Sequence, residues 1–150
     1  MTAAEKAKSA LGEKVLEWHE HSPRRIYITI GPEDLRESAR IFFEDLGFRF
    51  SIATGTDTPE NIEITYHFSC DSTGQFISLR VHLEDKAHPE VDSISGITKG
   101  AEWIEREIWE LLGVNFKGHP DLRRLLLSED WPEGNYPLRR EENQDKTGES

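Results

Sequence analysis

Residues 62–83 read IEITYHFSCDSTGQFISLRVHL, two alternating runs around a turn-forming centre. Ile62, Ile64, Tyr66, Phe68 and Cys70 share one face of the first run; Ile77, Leu79, Val81 and Leu83 share one face of the second. A period of two marks strands with one buried side. Asp71-Ser72-Thr73-Gly74 supplies hairpin chemistry between them. Pairing Cys70 with Gln75 sets Glu63 opposite His82, Thr65 opposite Arg80 and His67 opposite Ser78. Those polar pairs belong on the face turned away from the core.

Working outward, Phe48, Phe50 and Ile52 alternate in a further strand that ends at the polar loop 54–60, and Ile26, Ile28 and Ile30 alternate in another. Between these, Gly31-Pro32 opens a helix, with Glu33 and Asp34 favoured by the dipole at its first turn. Its apolar stripe is Leu35, Ala39, Phe42 and Leu46, and Gly47 suits the left-handed closing position. Leu11, Val15 and Trp18 fall at helical spacing and predict a helix over 3–20, stopped ahead of Pro23. A last helix over 100–112 turns Ile104, Ile108, Leu111 and Leu112 inward and stops at Gly113. Helices that do not alternate regularly with strands imply an α+β class, a two-layer sandwich of helices on a mixed, largely antiparallel sheet. The expected organisation is an α+β domain over 1–113, an extended irregular C-terminal segment over 114–140 and a disordered acidic tail over 141–150.

The 150 residues suffice for one domain with a real core. A formal net charge of −11 argues against nucleic acid and against adsorption to an anionic membrane surface. No apolar run reaches the length of a spanning helix, and the N-terminal MTAAEKAKSALGEK lacks the apolar stretch of a secretory signal. A cytosolic location is expected, with membrane contact only through a partner. A lone cysteine, Cys70, cannot build a disulfide framework or a cysteine-rich cluster site and reads as a small core residue.

Candidate chemistry is sparse. His67, His82 and Glu63 invite a metal search, but the register turns His67 towards Ser78 and no tight ligand spacing occurs. Gly118-His119-Pro120-Asp121 contains the His-Pro-Asp tripeptide that J-domain co-chaperones carry, without the basic helix those proteins place before it. A turn is expected there, with Asp121 capping 122–127 if that stretch is helical. Acid–base work by His119 and Asp121 lacks a nucleophile or pocket signature. Glu105 and Glu107, two apart on a helix, point in different directions and read as ion-pairing residues. Three classes of function stay in play: an assembly subunit, a stand-alone enzyme built on His119 and Asp121, and a chaperone-like regulatory module.

The region over 105–140 carries Glu105-Arg106-Glu107, Gly113, Phe116, Gly118-His119-Pro120-Asp121-Leu122-Arg123-Arg124, Asp130-Trp131 and Pro137-Leu138-Arg139-Arg140. In this ordered set the chain resembles the 30 kDa subunit family of respiratory NADH dehydrogenase (the C subunit of complex I), which includes related subunits of energy-converting nickel–iron hydrogenases. The resemblance extends back, more weakly, to about residue 30. It departs from the family at Glu110-Leu111-Leu112-Gly113, where Asp-Leu-Phe-Gly is common, and at Ser128-Glu129.

The resemblance implies a non-catalytic peripheral-arm subunit with no cofactor of its own. Its partner would be the large subunit, of forty-nine-kilodalton or hydrogenase catalytic type, on the cytoplasmic face of the inner membrane. Iron–sulfur clusters, or nickel–iron in the hydrogenase alternative, would belong to partner subunits. The residues expected at the partner interface are Glu105, Arg106, Glu107, His119, Asp121, Arg123, Arg124, Trp131, Arg139 and Arg140. Tryptophan and arginine are the side chains that most often anchor such contacts.

Overall fold

Alternation in the central hairpin translates directly into burial: Ile62, Ile64, Tyr66, Phe68, Ile77, Leu79 and Val81 are all fully buried. The structure is a computed structural model and describes residues 2–123 and 136–139. In chain order the elements are helix α1 (Ala3–Leu11), strands β1 (Val15–Ser22) and β2 (Arg25–Ile30), and helix α2 (Leu35–Arg40). Then come strands β3 (Arg49–Asp57), β4 (Ile62–Cys70), β5 (Gln75–Leu83) and β6 (Glu90–Asp92), helix α3 (Ala101–Leu112) and strand β7 (Asn115–Lys117). The main sheet has the order β1-β2-β5-β4-β3, parallel only between β2 and β5; β6 and β7 form a small parallel pair. The fold is therefore α+β, helices layered on a mixed, largely antiparallel sheet.

The hairpin register is the one the sequence implies: Cys70 pairs with Gln75, Glu63 with His82, Thr65 with Arg80 and His67 with Ser78. Helix α2 is preceded by a 3-10 turn over Pro32–Asp34 and followed by a wider turn over Ile41–Asp45, which together fill the expected helical stretch. Phe42 packs edge-on against Phe48 and Phe68, joining that helix to the sheet.

Three expectations are revised. The helix predicted over 3–20 ends at Leu11, and 15–22 is the edge strand β1. Gly12, at φ 55, closes the helix, and its N–H donates to the Lys8 carbonyl. Beyond it, Val15 and Trp18 are only partly buried, so an edge strand mimicked helical spacing. The loop expected from residue 54 begins later, because β3 runs on to Asp57, whose side chain is fully buried beside Lys86. Packing also continues past residue 113: Val114 and Phe116 belong to the core, and Phe116 pairs with Val91.

Two glycines position α3. At Gly55 on β3 an added Cβ would lie 2.7 Å from Leu112 Cδ1 and 3.2 Å from Ile108 Cγ2, so the helix rests directly on the strand backbone. Gly113 adopts φ 79 as the left-handed cap of α3, its N–H donating to Trp109 O over 2.9 Å. The Tyr136 ring packs onto that glycine, where a Cβ would come within 2.5 Å. Residues 136–139 are thereby held at the C-terminal end of α3, with Leu138 N donating to Leu111 O at 3.0 Å.

Candidate functional site

Helix α3 divides the residues of the sequence signature into inward and outward sets. Glu105 points inward and is completely buried. Its Oε2 accepts from the Tyr66 hydroxyl at 3.0 Å and from Ile94 N–H at 3.1 Å, while its Oε1 accepts from Ser93 Oγ at 2.6 Å. Burial pushes its carboxyl above the ordinary value, against the pull of those three donors. Burial, reinforced by the neighbouring carboxylate, pushes the Tyr66 phenol well above its own. Glu105 thus joins α3, β4 and the loop after β6 inside the chain. Its expected place at a partner surface is not where the structure puts it, because one helical step turns it from the solvent side to the core.

The next residue lies on another side of α3, near the surface but largely covered, its side chain 13% exposed. Arg106 stacks over the Trp103 ring (5.8 Å to the centroid), donates from Nε to the Arg123 carbonyl at 2.9 Å, and lies 3.6 Å from Asp121 Oδ2. Arg123 Nε reaches the same carboxylate oxygen at 3.0 Å. His119 ties the turn to the helix: Nε2 donates to the Glu102 carbonyl at 2.7 Å, and Nδ1 accepts from Asp121 N–H at 2.9 Å. With both ring nitrogens on backbone partners, neither is presented to a substrate. The His-Pro-Asp stretch is therefore a brace against α3. What it leaves in solvent is a tryptophan and an arginine, with Trp103 59% exposed and the Arg123 side chain 72% exposed.

Glu107 lies on a different side, lining a shallow groove of about 280 Å³ with Ile52, Ile104, Leu111 and Leu138. Arg139 does not project outward as expected. It is 9% exposed, donating to Lys86 O at 2.6 Å and Leu112 O at 3.2 Å, with Nε 3.8 Å from Asp57 Oδ2. Lys86 Nζ meets the other Asp57 oxygen at 2.7 Å. A buried aspartate needs counter-charges, and Arg139 supplies one from residues far away in sequence. Arg124, Trp131 and Arg140, the proposed Asp121 cap and the tail 141–150 lie outside the described residues.

Sequence reasoning did not single out Tyr66, Ser93, Asp57 or Lys86 as partners of these charges. Tyr66 stood out only as an inward hydrophobe, and the others carried no spacing signal. Among the described residues no group of three or more His, Cys, Asp or Glu is placed to hold a metal ion. Among them, too, no helix is long and apolar enough to cross a membrane.

A sequence profile described as "Respiratory-chain NADH dehydrogenase, 30 Kd subunit" matches residues 28–148. The chain belongs to this family. Within it, the chain is 32% identical to the C subunit of NADH-quinone oxidoreductase from Roseiflexus sp., over 93% of this chain and 82% of that protein. It is 36% identical to the C subunit from Rhodobacter capsulatus, over 76% of this chain and 58% of that one. The fused C/D subunit of Bacteroides thetaiotaomicron is 38% identical over 70% of this chain, and the match spans only 20% of that longer protein. Two solved structures share the fold of this family member at 21% identity. One is the trypsin-resistant fragment (1–134) of Nqo5, with a TM-score of 0.64 over 79% of this chain and 96% of that one. The other belongs to a membrane-bound sulfane sulfur reductase, an archaeal respiratory membrane complex, with a TM-score of 0.78 over 97% of this chain and 89% of that one.

Proposed function

We propose that this chain is a non-catalytic peripheral-arm subunit of an NADH:quinone oxidoreductase-type complex. It docks on the large subunit of forty-nine-kilodalton type, which carries electrons towards quinone, and works on the cytoplasmic face of the inner membrane. The observation that carries the reading is the braced corner at α3. His119, Asp121 and Arg106 lock the turn over 118–123 to the helix, and Trp103 and Arg123 are left outward on a rigid base. Rigid, exposed aromatic and guanidinium side chains are what interface hot spots are made of. Membership of the respiratory NADH dehydrogenase family supports the same assignment. The subunit would hold partner-borne iron–sulfur chemistry in place without taking part in bond making.

The partner interface so proposed comprises Arg106, Glu107, His119, Asp121 and Arg123, continuing into Arg124, Trp131 and Arg140. Co-expression with candidate large subunits and affinity capture tests it. Wild type should capture the large subunit, and Arg123→Glu with Arg124→Glu should abolish capture while the circular-dichroism spectrum stays unchanged. Full capture by that double variant refutes the docking role. Capture of a nickel-binding hydrogenase subunit in preference to the quinone-linked large subunit would reassign the host to the hydrogenase alternative.

A further inference from the structure

The two edges of the main sheet, β1 and β3, are guarded differently. An edge strand offers unpaired N–H and C=O groups to any extended chain that comes near, and natural sheets blunt that hazard with charges, bulges or cover. At β1 the guards are in place. Glu17 and Glu20 are exposed, and Glu20 stands opposite the buried Ile26, a charge on the core side of the edge. Register shifts interrupt the strand between Val15 and Glu17 and again between Glu20 and Ser22.

Strand β3 lacks these guards over its second half. Its register shift falls between Phe50 and Ile52, after which Ile52 to Asp57 pair with β4 without interruption. Residues 51–56 read SIATGT, with neither charge nor proline, and Ile52, Thr54 and Thr56 are exposed. Among the described residues the backbone of 52–56 bonds to β4 and to nothing else. The shallow groove of about 280 Å³ beside α3 is lined by residues 52–55 of this strand together with Ile104, Glu107, Leu111 and Leu138. Its apolar lining is open to solvent, with Ile52 48% and Leu138 52% exposed. Glu107 is the one charged residue in that lining, and it makes no ion pair among the described residues.

We propose that the β3 edge and this groove take an extended segment of a partner protein as an added strand, one that alternates aliphatic residues and carries a lysine or arginine. The free edge selects an extended backbone, because its unpaired groups match those of a strand and not those of a helix, which are already paired. Strand periodicity sends alternate side chains of the segment the same way, and the apolar lining selects aliphatic ones. Glu107, on a chain whose net charge is −11, selects a cation at its own place in the groove. That the segment belongs to a subunit of the same assembly rests on the function proposed above; the edge, the lining and the carboxylate do not.

The test uses the full chain and fluorescence anisotropy with a fluorescein-labelled octapeptide alternating Val and Ser around one central Lys. The same peptide with Glu for that Lys, and the Lys peptide with every backbone amide N-methylated, serve as comparators. The Lys peptide should bind best. N-methylation should cost at least about tenfold in affinity, because two or more backbone hydrogen bonds are lost. Ile52→Lys, which sets a charge at the exposed edge, should weaken the Lys peptide by a similar factor. Should that variant alter the urea midpoint, Glu107→Lys gives an independent reading: it should reverse the preference towards the Glu peptide, which loss of folding cannot do. Absence of Lys-peptide binding, equal binding of the N-methylated peptide, or indifference to either variant overturns the proposal. So does a dimer in sedimentation that Ile52→Lys dissolves, which would make a second copy of the chain the occupant. The assay contains no large subunit, so its outcome is independent of whether the α3 corner docks as proposed.

Discussion

Replacing Tyr66 with phenylalanine removes one oxygen atom and almost no volume. The ring keeps its packing against Phe50, 6.3 Å between centroids, and the fully buried Glu105 carboxylate loses one of three donors. A hydrogen bond to a charged group contributes about 1.5–3 kcal/mol, and one to a neutral group about 0.5–1.5 kcal/mol. The cost should therefore depend on the protonation of Glu105. Burial raises its folded pKa above the ordinary 4.5, so the stability linked to this proton is complete below that value and is lost as pH rises through the folded pKa. Removing the Tyr66 donor withdraws support from the charged form, lifts the folded pKa further and enlarges that loss. Urea denaturation of wild type and Tyr66→Phe should thus show a larger destabilisation at about pH 8 than at about pH 4, by roughly 1 kcal/mol. Equal penalties at the two pH values, or a variant as stable as wild type in alkali, would refute the reasoning.

Other perturbations probe the packing of α3 and its flanks. Gly113→Ala carries the strain of a left-handed backbone, about 1–2 kcal/mol, and also drives a Cβ into the Tyr136 ring, so it should cost more than that strain alone. Urea midpoints for Gly113→Ala in wild-type and Tyr136→Ala backgrounds isolate the contact with the C-terminal residues, and the Tyr136→Ala background should erase the excess cost. Gly55→Val displaces Leu112 and Ile108 and should lower stability by about 1–3 kcal/mol in thermal or urea unfolding. Asp57→Asn strips the counter-charge from Lys86 and Arg139, whose side chains are 14% and 11% exposed, and should cost about 3–5 kcal/mol. A loss below about 1 kcal/mol in urea unfolding would show that solvent already screens that cluster.

The hairpin over 62–83 was readable to the residue because alternation and turn chemistry are local, and one face had to be apolar. The stripe from Leu35 to Leu46 and the stop at Gly113 were readable for the same reason. Residues 12–22 were not. Gly12 signalled an end, but Val15 and Trp18 happened to keep helical spacing, and only pairing with β2 makes them a strand. The interface set split likewise: Arg106, His119, Asp121 and Arg123 gather at one corner, while Glu105 and Arg139 turn inward to meet partners on other strands.

Local chemistry alone therefore settled which segments alternate, where α3 stops, and the ordered signature that places the chain in its family. Assembly in three dimensions decided what the charges do. Whether a glutamate faces solvent or a tyrosine depends on one step of helix rotation and on loops far away in sequence. Desolvation makes that choice costly to reverse, and no pattern of neighbours along the chain encodes it.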